Sequence, residues 1–418
     1  MKIVSVVGAR PNFMKIAPFM RAVDEHNKNN QDNPVEHTLV HTGQHYDDRM
    51  SQAFFEALSI PPADINLGVG SGTHAEQVGQ TMIEFEKVLR QIKPDWVVVV
   101  GDVNATLACS VTAKKEHVKC CHIEAGLRSG DLLMPEEINR LVTDRLSDLL
   151  LIPDRLSGDN LRKEGMPEKS IRFVGNIMID TLDENRQKAE ALDIGGIVER
   201  NRIDGGHGSS AFAKGFGGQR EIPGQAGNDR SGETTSPRPP AKGDPYVVLT
   251  LHRPSNVDHK EVLTPIVNFL CDEVAADMPL IWTLHPRTEK QLKNFGLWEK
   301  VTNTKNILLL YPLNYHEMLR LNMDARLILT DSGGLQEECT VLGTPCITLR
   351  WNTERPITLR EHGGASVIVG NNIKRIREEY LTTLKLERKP FRPEMWDGRT
   401  AGRCLRAILD YTSESDRK

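Results

Sequence analysis

Short apolar runs alternate with longer amphipathic segments almost from end to end of this chain, and that rhythm constrains the fold more than any single motif. Runs at 3–7, 36–41, 96–102, 119–124, 149–152 and 171–174 fill the first half; runs at 246–252, 280–285, 307–311, 326–331, 345–350 and 366–369 repeat the pattern in the second. A strand that is apolar on both faces must be covered on both, which parallel strands obtain from the crossover helices that join them. Twelve such runs spread over 418 residues exceed what one core holds. The pattern predicts an α/β chain with two doubly wound domains.

The rhythm breaks once. Residues 204–243 hold ten glycines and four prolines but no Val or Leu, too little apolar surface to offset the entropy of ordering. This window reads as a flexible surface insertion between a helix over 180–203 and the first strand of the second half. Near the end, 398–411 has helical spacing in Ala401, Leu405, Ile408 and Leu409, after an extended, proline-containing 389–396. Seven cysteines without a CxxC pair read as buried free thiols of a reducing compartment. The apolar run after Met1-Lys2 has only five residues, too short for a signal core or a membrane span, so the cytoplasm is expected. A net charge of -4 with no dense basic block argues against nucleic acid as partner.

Candidate chemistry collects at the carboxyl ends of the predicted strands, where open α/β sheets bind ligands. After the first strand, Gly8-Ala-Arg-Pro-Asn-Phe-Met-Lys15 lacks the GxGxxG of a dinucleotide site but offers Arg10 and Lys15, two cations suited to phosphates. Asp102 and Glu124 end adjacent strands and could share a pocket; helix N-capping is the rival reading of Asp102. Pro135-Glu-Glu-Ile-Asn-Arg140 opens a helix with Glu136 and Glu137 in a first turn where the macrodipole favours acids regardless of function. His252 and His285 each end a strand and are followed closely by an arginine. Asp331-Ser-Gly-Gly-Leu-Gln-Glu-Glu338 places Ser332, Gly333 and Gly334 where backbone N–H groups meet an anion at a helix start. Glu338, one turn further, either accepts from ribose hydroxyls or is solvated, and Arg355 adds a cation on the same rim. No zinc spacing, HExxH, GxSxG or Walker loop is present. The residues describe two domains across a cleft, phosphate donors on the second and acids with Arg and Lys on the first.

Taken in order, Gly8-Ala-Arg-Pro11 with Lys15, Gly101-Asp102, His122-Ile-Glu-Ala-Gly-Leu-Arg-Ser129, Pro135–Arg140, Gly175-Asn176, His252-Arg253, Asp331–Glu338 and Thr353-Glu-Arg-Pro356 resemble the non-hydrolysing UDP-N-acetylglucosamine 2-epimerases. The resemblance implies a GT-B type fold, with residues 1–175 as a first Rossmann-like domain to which helix 398–411 returns and 176–388 as a second, UDP-binding one. It implies conversion of UDP-N-acetylglucosamine to UDP-N-acetylmannosamine through a 2-acetamidoglucal, with no cofactor or metal, by a homodimer supplying polysaccharide synthesis. Asp102, Glu124, Glu136 and His252 are the catalytic residues it nominates; Arg10, Lys15, Arg140, His285, Ser332, Gly333, Gly334, Glu338 and Arg355 bind substrate. Three stretches depart from the family's pattern, Val103-Asn-Ala-Thr106, His362-Gly-Gly-Ala-Ser366 and Thr42-Gly-Gln-His-Tyr-Asp47, and the glycine-rich insertion is foreign to it. A GT-B glycosyltransferase, a hydrolysing 2-epimerase and a non-catalytic nucleotide-sugar sensor share the fold and are the alternatives.

Overall fold

The computed structural model describes residues 1–43, 58, 61–203, 238–241 and 243–415. Nearly all of the glycine-rich window expected at 204–243, and the stretch from Gln44 to Asp47, lie outside the described residues.

All twelve apolar runs form strands, and both sheets are wholly parallel. The first sheet holds β1 (Lys2–Val7), β2 (Glu36–His41), β3 (Ile65–Asn66), β4 (Trp96–Val100), β5 (Lys119–Ile123), β6 (Leu149–Ile152) and β7 (Ile171–Phe173), in the order β3-β2-β1-β4-β5-β6-β7. The second holds β8 (Val247–Thr250), β9 (Leu280–Thr283), β10 (Ile307–Leu310), β11 (Leu327–Thr330), β12 (Cys346–Thr348) and β13 (Ser366–Ile368), in the order β10-β9-β8-β11-β12-β13. β4, Trp-Val-Val-Val-Val, is buried at every position, the environment in which β-branched residues favour a strand. β3, of two residues, was not expected; so short a strand carries no periodicity to read. The expected single helix over 180–203 is two, Ile177–Glu190 and Ile194–Asn201, the second started afresh by Asp193, whose side chain accepts from Gly196 N.

These are two Rossmann-like domains of the GT-B type. In each sheet the winding reverses once, between β1 and β4 and between β8 and β11. Chain leaving the ends of those strands opens a crevice, the general ligand site of doubly wound sheets.

Two helices join distant parts of the chain. Ile177–Glu190 packs against Arg10–Asn29 and Thr400–Ser415 on one side and against Tyr315–Asp324 and Gly333–Leu342 on the other. Thr400–Ser415 buries Ala401, Cys404, Leu405 and Ile408 in the same core as Ile3, Phe13 and Ile16. Its first backbone N–H groups are capped from another helix: Asp180 accepts from Thr400 N at 3.0 Å and from Ala401 N at 2.7 Å. At its far end Trp96 Nε1 donates to Thr412 Oγ1 at 2.9 Å. All seven cysteines are free and buried. Among the described residues no helix is long and apolar enough to cross a membrane.

Candidate active site

The two crevices face one another as a single cleft of about 440 Å³, a volume typical of small-molecule sites. From the first domain Lys15, Asp102, Glu136 and Arg140 line it; from the second His252, His285, Ser332, Gly333, Gly334, Glu338 and Arg355 do. Two of the expected residues stand apart. Glu124 lies behind Lys15, and the side chain of Arg10 lies outside the described residues.

On the second domain the Gly333–Leu342 helix points its amino end into the cleft, with Ser332 at its N-cap. The two glycines answer to different constraints. A Cβ on Gly333 would come within 2.7 Å of Glu354 and 2.9 Å of Arg355, so the protein itself demands a small residue there. A Cβ on Gly334 would meet nothing within 4 Å; it would project into the cleft, so openness to a ligand is what that glycine preserves. Asp331, wholly buried, does not line the cleft and accepts from the backbone of His252 and Arg253. Burial opposes its ionisation, but His252 and those N–H groups hold its carboxyl below the usual range.

The acids of the first domain do different jobs. Asp102 does not cap the next helix, whose N-cap is Val103 with no side-chain bond; its carboxylate pairs with Arg140. Of the two glutamates opening the Pro135–Leu146 helix, Glu137 is buried and grips the preceding loop, accepting from Ser129 N at 3.0 Å and Gly130 N at 2.8 Å and from Arg140 Nη2 at 2.5 Å. Glu136 is 35% exposed and faces the cleft, with Arg253 Nη1 of the other domain at 3.6 Å. Glu124 sits at φ 73°, a left-handed conformation unusual for a residue with a side chain. The rest of its signature is architecture. His122 places Nδ1 2.6 Å from Asp144 and Nε2 2.8 Å from Gly101 O, and Arg128 Nη1 donates to Asp144 at 2.7 Å. Those ties leave Glu124, joined to the cleft-lining Lys15, as the member of that signature linked to the cleft.

Glu124 belongs to a buried ionic chain that spans both domains. Lys15 donates to it; Arg355 Nη2 stands 3.9 Å away and turns its Nε to Glu337 at 2.9 Å and its Nη1 to Glu354. Arg350 Nη2 closes the chain on Glu354 at 2.8 Å, and Asn176 Nδ2 donates to Glu337 at 2.8 Å. Arg355 was expected on the rim; it is instead a buried crosspiece, its cost of burial met by three carboxylates. Burial raises the Glu337 carboxyl, with the nearby Glu124 charge adding to it against the pull of Arg355. Burial opposes ionisation of Glu354 too, but Arg355, Arg350 and Arg140 hold it well below the carboxylate range. Glu337, Glu354 and Arg350 were not singled out from the sequence: nothing local marks Glu337, whose partner Asn176 lies 161 positions away, and the Arg350–Glu354 pair, four residues apart, reads as an ordinary helix-spaced ion pair until its burial sets it apart.

Glu338 is not solvated. Its side chain lines the cleft yet is almost wholly buried, and burial pushes its carboxyl up to about 7, against the bond from Asn322 Nδ2 at 3.0 Å. A raised folded-state value means stability that is full below the unfolded value of 4.5 and lost as pH rises through 7. Over that window Glu338→Gln should remove a loss of roughly 3 kcal/mol, taking 1.36 kcal/mol per pKa unit. Urea unfolding of both proteins at pH 5 and pH 8 measures it; equal losses in the two would show that Glu338 is not the titrating group.

The geometry matches known proteins. The family model described as UDP-N-acetylglucosamine 2-epimerase matches residues 27–203 and 226–409, the break falling within the glycine-rich window. A UDP-N-acetylglucosamine 2-epimerase of Methanocaldococcus jannaschii is 38% identical over 98% of this chain and 99% of its own. A UDP-2,3-diacetamido-2,3-dideoxy-D-glucuronate 2-epimerase of Pseudomonas aeruginosa is 36% identical over 92% of each. The crystal structure of the M. jannaschii enzyme with UDP-GlcNAc and UDP superimposes with a TM-score of 0.80 over 98% of this chain and 100% of that one. With this agreement in sequence and in structure along nearly its whole length, the chain belongs to the UDP-N-acetylglucosamine 2-epimerase family and is an isomerase.

Proposed function

We propose that the protein interconverts UDP-N-acetylglucosamine and UDP-N-acetylmannosamine by anti elimination and re-addition of UDP. A base takes the proton from carbon 2 while the bond from carbon 1 to the diphosphate oxygen breaks with its electrons, leaving a 2-acetamidoglucal and UDP. Protonation of carbon 2 on its other face, with return of UDP to carbon 1, completes the inversion. Proton transfers balance both steps.

One observation carries this reading: the cleft carboxylates Asp102 and Glu136 come from one domain, while the helix amino end at Ser332-Gly333-Gly334 and His252 come from the other. The helix end suits the diphosphate. Glu338 suits the ribose hydroxyls, and His252 and His285 the diphosphate or the sugar. Of the acids, Glu136 is held most loosely and so is best placed to exchange a proton; Asp102, fixed by Arg140, suits stabilising positive charge at carbon 1. Glu124 acts through Lys15. Arg140 and Arg355 hold these acids in place. A cleft shut between two domains keeps the glucal from water. The same reading has a cytoplasmic homodimer supplying cell-surface polysaccharide synthesis.

Incubation with UDP-N-acetylglucosamine alone in deuterated water, followed by NMR, tests the reaction. Both UDP-sugars should appear with deuterium at carbon 2. Stoichiometric free UDP with N-acetylmannosamine would instead identify a hydrolysing epimerase, turnover only after an acceptor is added a glycosyltransferase, and binding without turnover a sensor. A control with the diacetamido uronate measures which sugar is preferred.

A further inference from the structure

Asp331 opens the turn that receives the diphosphate in the reading above, yet its carboxylate points backward, into the loop after β8. Oδ2 accepts from Arg253 N at 2.8 Å, His252 N at 3.0 Å and Asn256 Nδ2 at 3.1 Å. Oδ1 stands 2.8 Å from His252 Nδ1. A carboxylate taken wholly out of water is retained only where its oxygens are satisfied, and here one carboxylate fixes both the backbone and the ring of the same residue. The His252 side chain is 37% exposed and lines the cleft, its ring 5.7 Å from that of His285. A ring held by a carboxylate at one nitrogen has its tautomer and orientation set, and presents the other nitrogen to the ligand.

We propose that Asp331 is a positioning residue for epimerisation, holding His252 through Nδ1 so that Nε2 donates to the diphosphate as UDP departs and returns. Its place in the signature is thereby explained by the ring it orients and not by contact with UDP. The inference rests on the reaction proposed above and on His252 taking part in it.

Three variants, Asp331→Asn, His252→Asn and the double, test it through kcat and KM for epimerisation and calorimetric affinity for UDP. Asp331→Asn should lower kcat about 10–100-fold, the usual cost of losing such an orienting partner, with KM and UDP affinity within about threefold. If Asp331 acts through His252, the double variant should be no slower than His252→Asn, since effects through one group do not add. Additive losses, or an unchanged kcat in Asp331→Asn, overturn the proposal. Should Asp331→Asn fail to fold, NMR of the wild-type protein labelled with ¹⁵N-histidine decides: an exchange-protected Nδ1 proton that disappears in His252→Asn is expected, and its absence from the wild type overturns the proposal. That measurement needs no turnover, so it stays informative even if the epimerase reading fails.

Discussion

Glu136→Gln is expected to lower kcat by about 10²–10⁴-fold, the range that a positioned acid or base supplies, while UDP affinity stays within about twofold. The substitution keeps the shape of the side chain and removes only its capacity to take a proton. Structural damage should be slight, because Glu136 is partly exposed and its nearest cation, Arg253, stands 3.6 Å away; exposed pairs of this kind contribute about 0–1 kcal/mol. Deuterium at carbon 2 is the sharpest readout. Normal exchange in Glu136→Gln would remove this residue from proton transfer. Glu124→Gln should also lose activity, but with a second signature: it deprives buried Lys15 of its partner, so thermal stability should fall alongside turnover.

The second large effect is on the fold. Arg355→Met keeps volume and removes the crosspiece between Glu337, Glu354 and Glu124. Leaving buried charges uncompensated costs about 3–5 kcal/mol. The sign of its pH dependence follows from the orphaned acids. Without the guanidinium, the Glu337 carboxyl, already raised by burial, titrates higher still in the folded state, so the deficit is greatest above pH 7 and shrinks as that group protonates at lower pH. Urea midpoints at pH 5 and pH 8 should show the variant closer to wild type at pH 5. A deficit independent of pH would mean that packing, not charge, is what Arg355 supplies.

The sheets were legible because strands buried on both faces write themselves as uninterrupted apolar runs, as Trp96–Val100 does. The predicted ends overshoot where the chain turns out of the sheet: β4 stops at Val100, short of Asp102, and β8 at Thr250, short of His252. Those overshooting residues are the ones that reach the cleft. Less legible was the division of labour inside each motif. Glu136 and Glu137 are adjacent in sequence, but 100° of helix rotation sends one to the cleft and the other under a loop. His122 stands in a signature whose chemistry the sequence cannot apportion, and the structure gives it a framework role, with Asp144 and the Gly101 carbonyl engaging both its nitrogens. For His122 the deciding partners lie more than twenty residues away on either side, and local pattern carries no trace of them.

The Thr400–Ser415 helix fills the core beneath β1 and β4 although it is made after every strand of the second sheet. During synthesis the two domains therefore mature in the reverse of the order in which they are translated. Residues 247–368 can close their sheet while the first domain still waits, its core only partly covered by Arg10–Asn29 and Ile177–Glu190, for this sixteen-residue helix to leave the ribosome. A stop codon just before Thr400 would spare every residue of the cleft and still leave a nascent chain prone to aggregate.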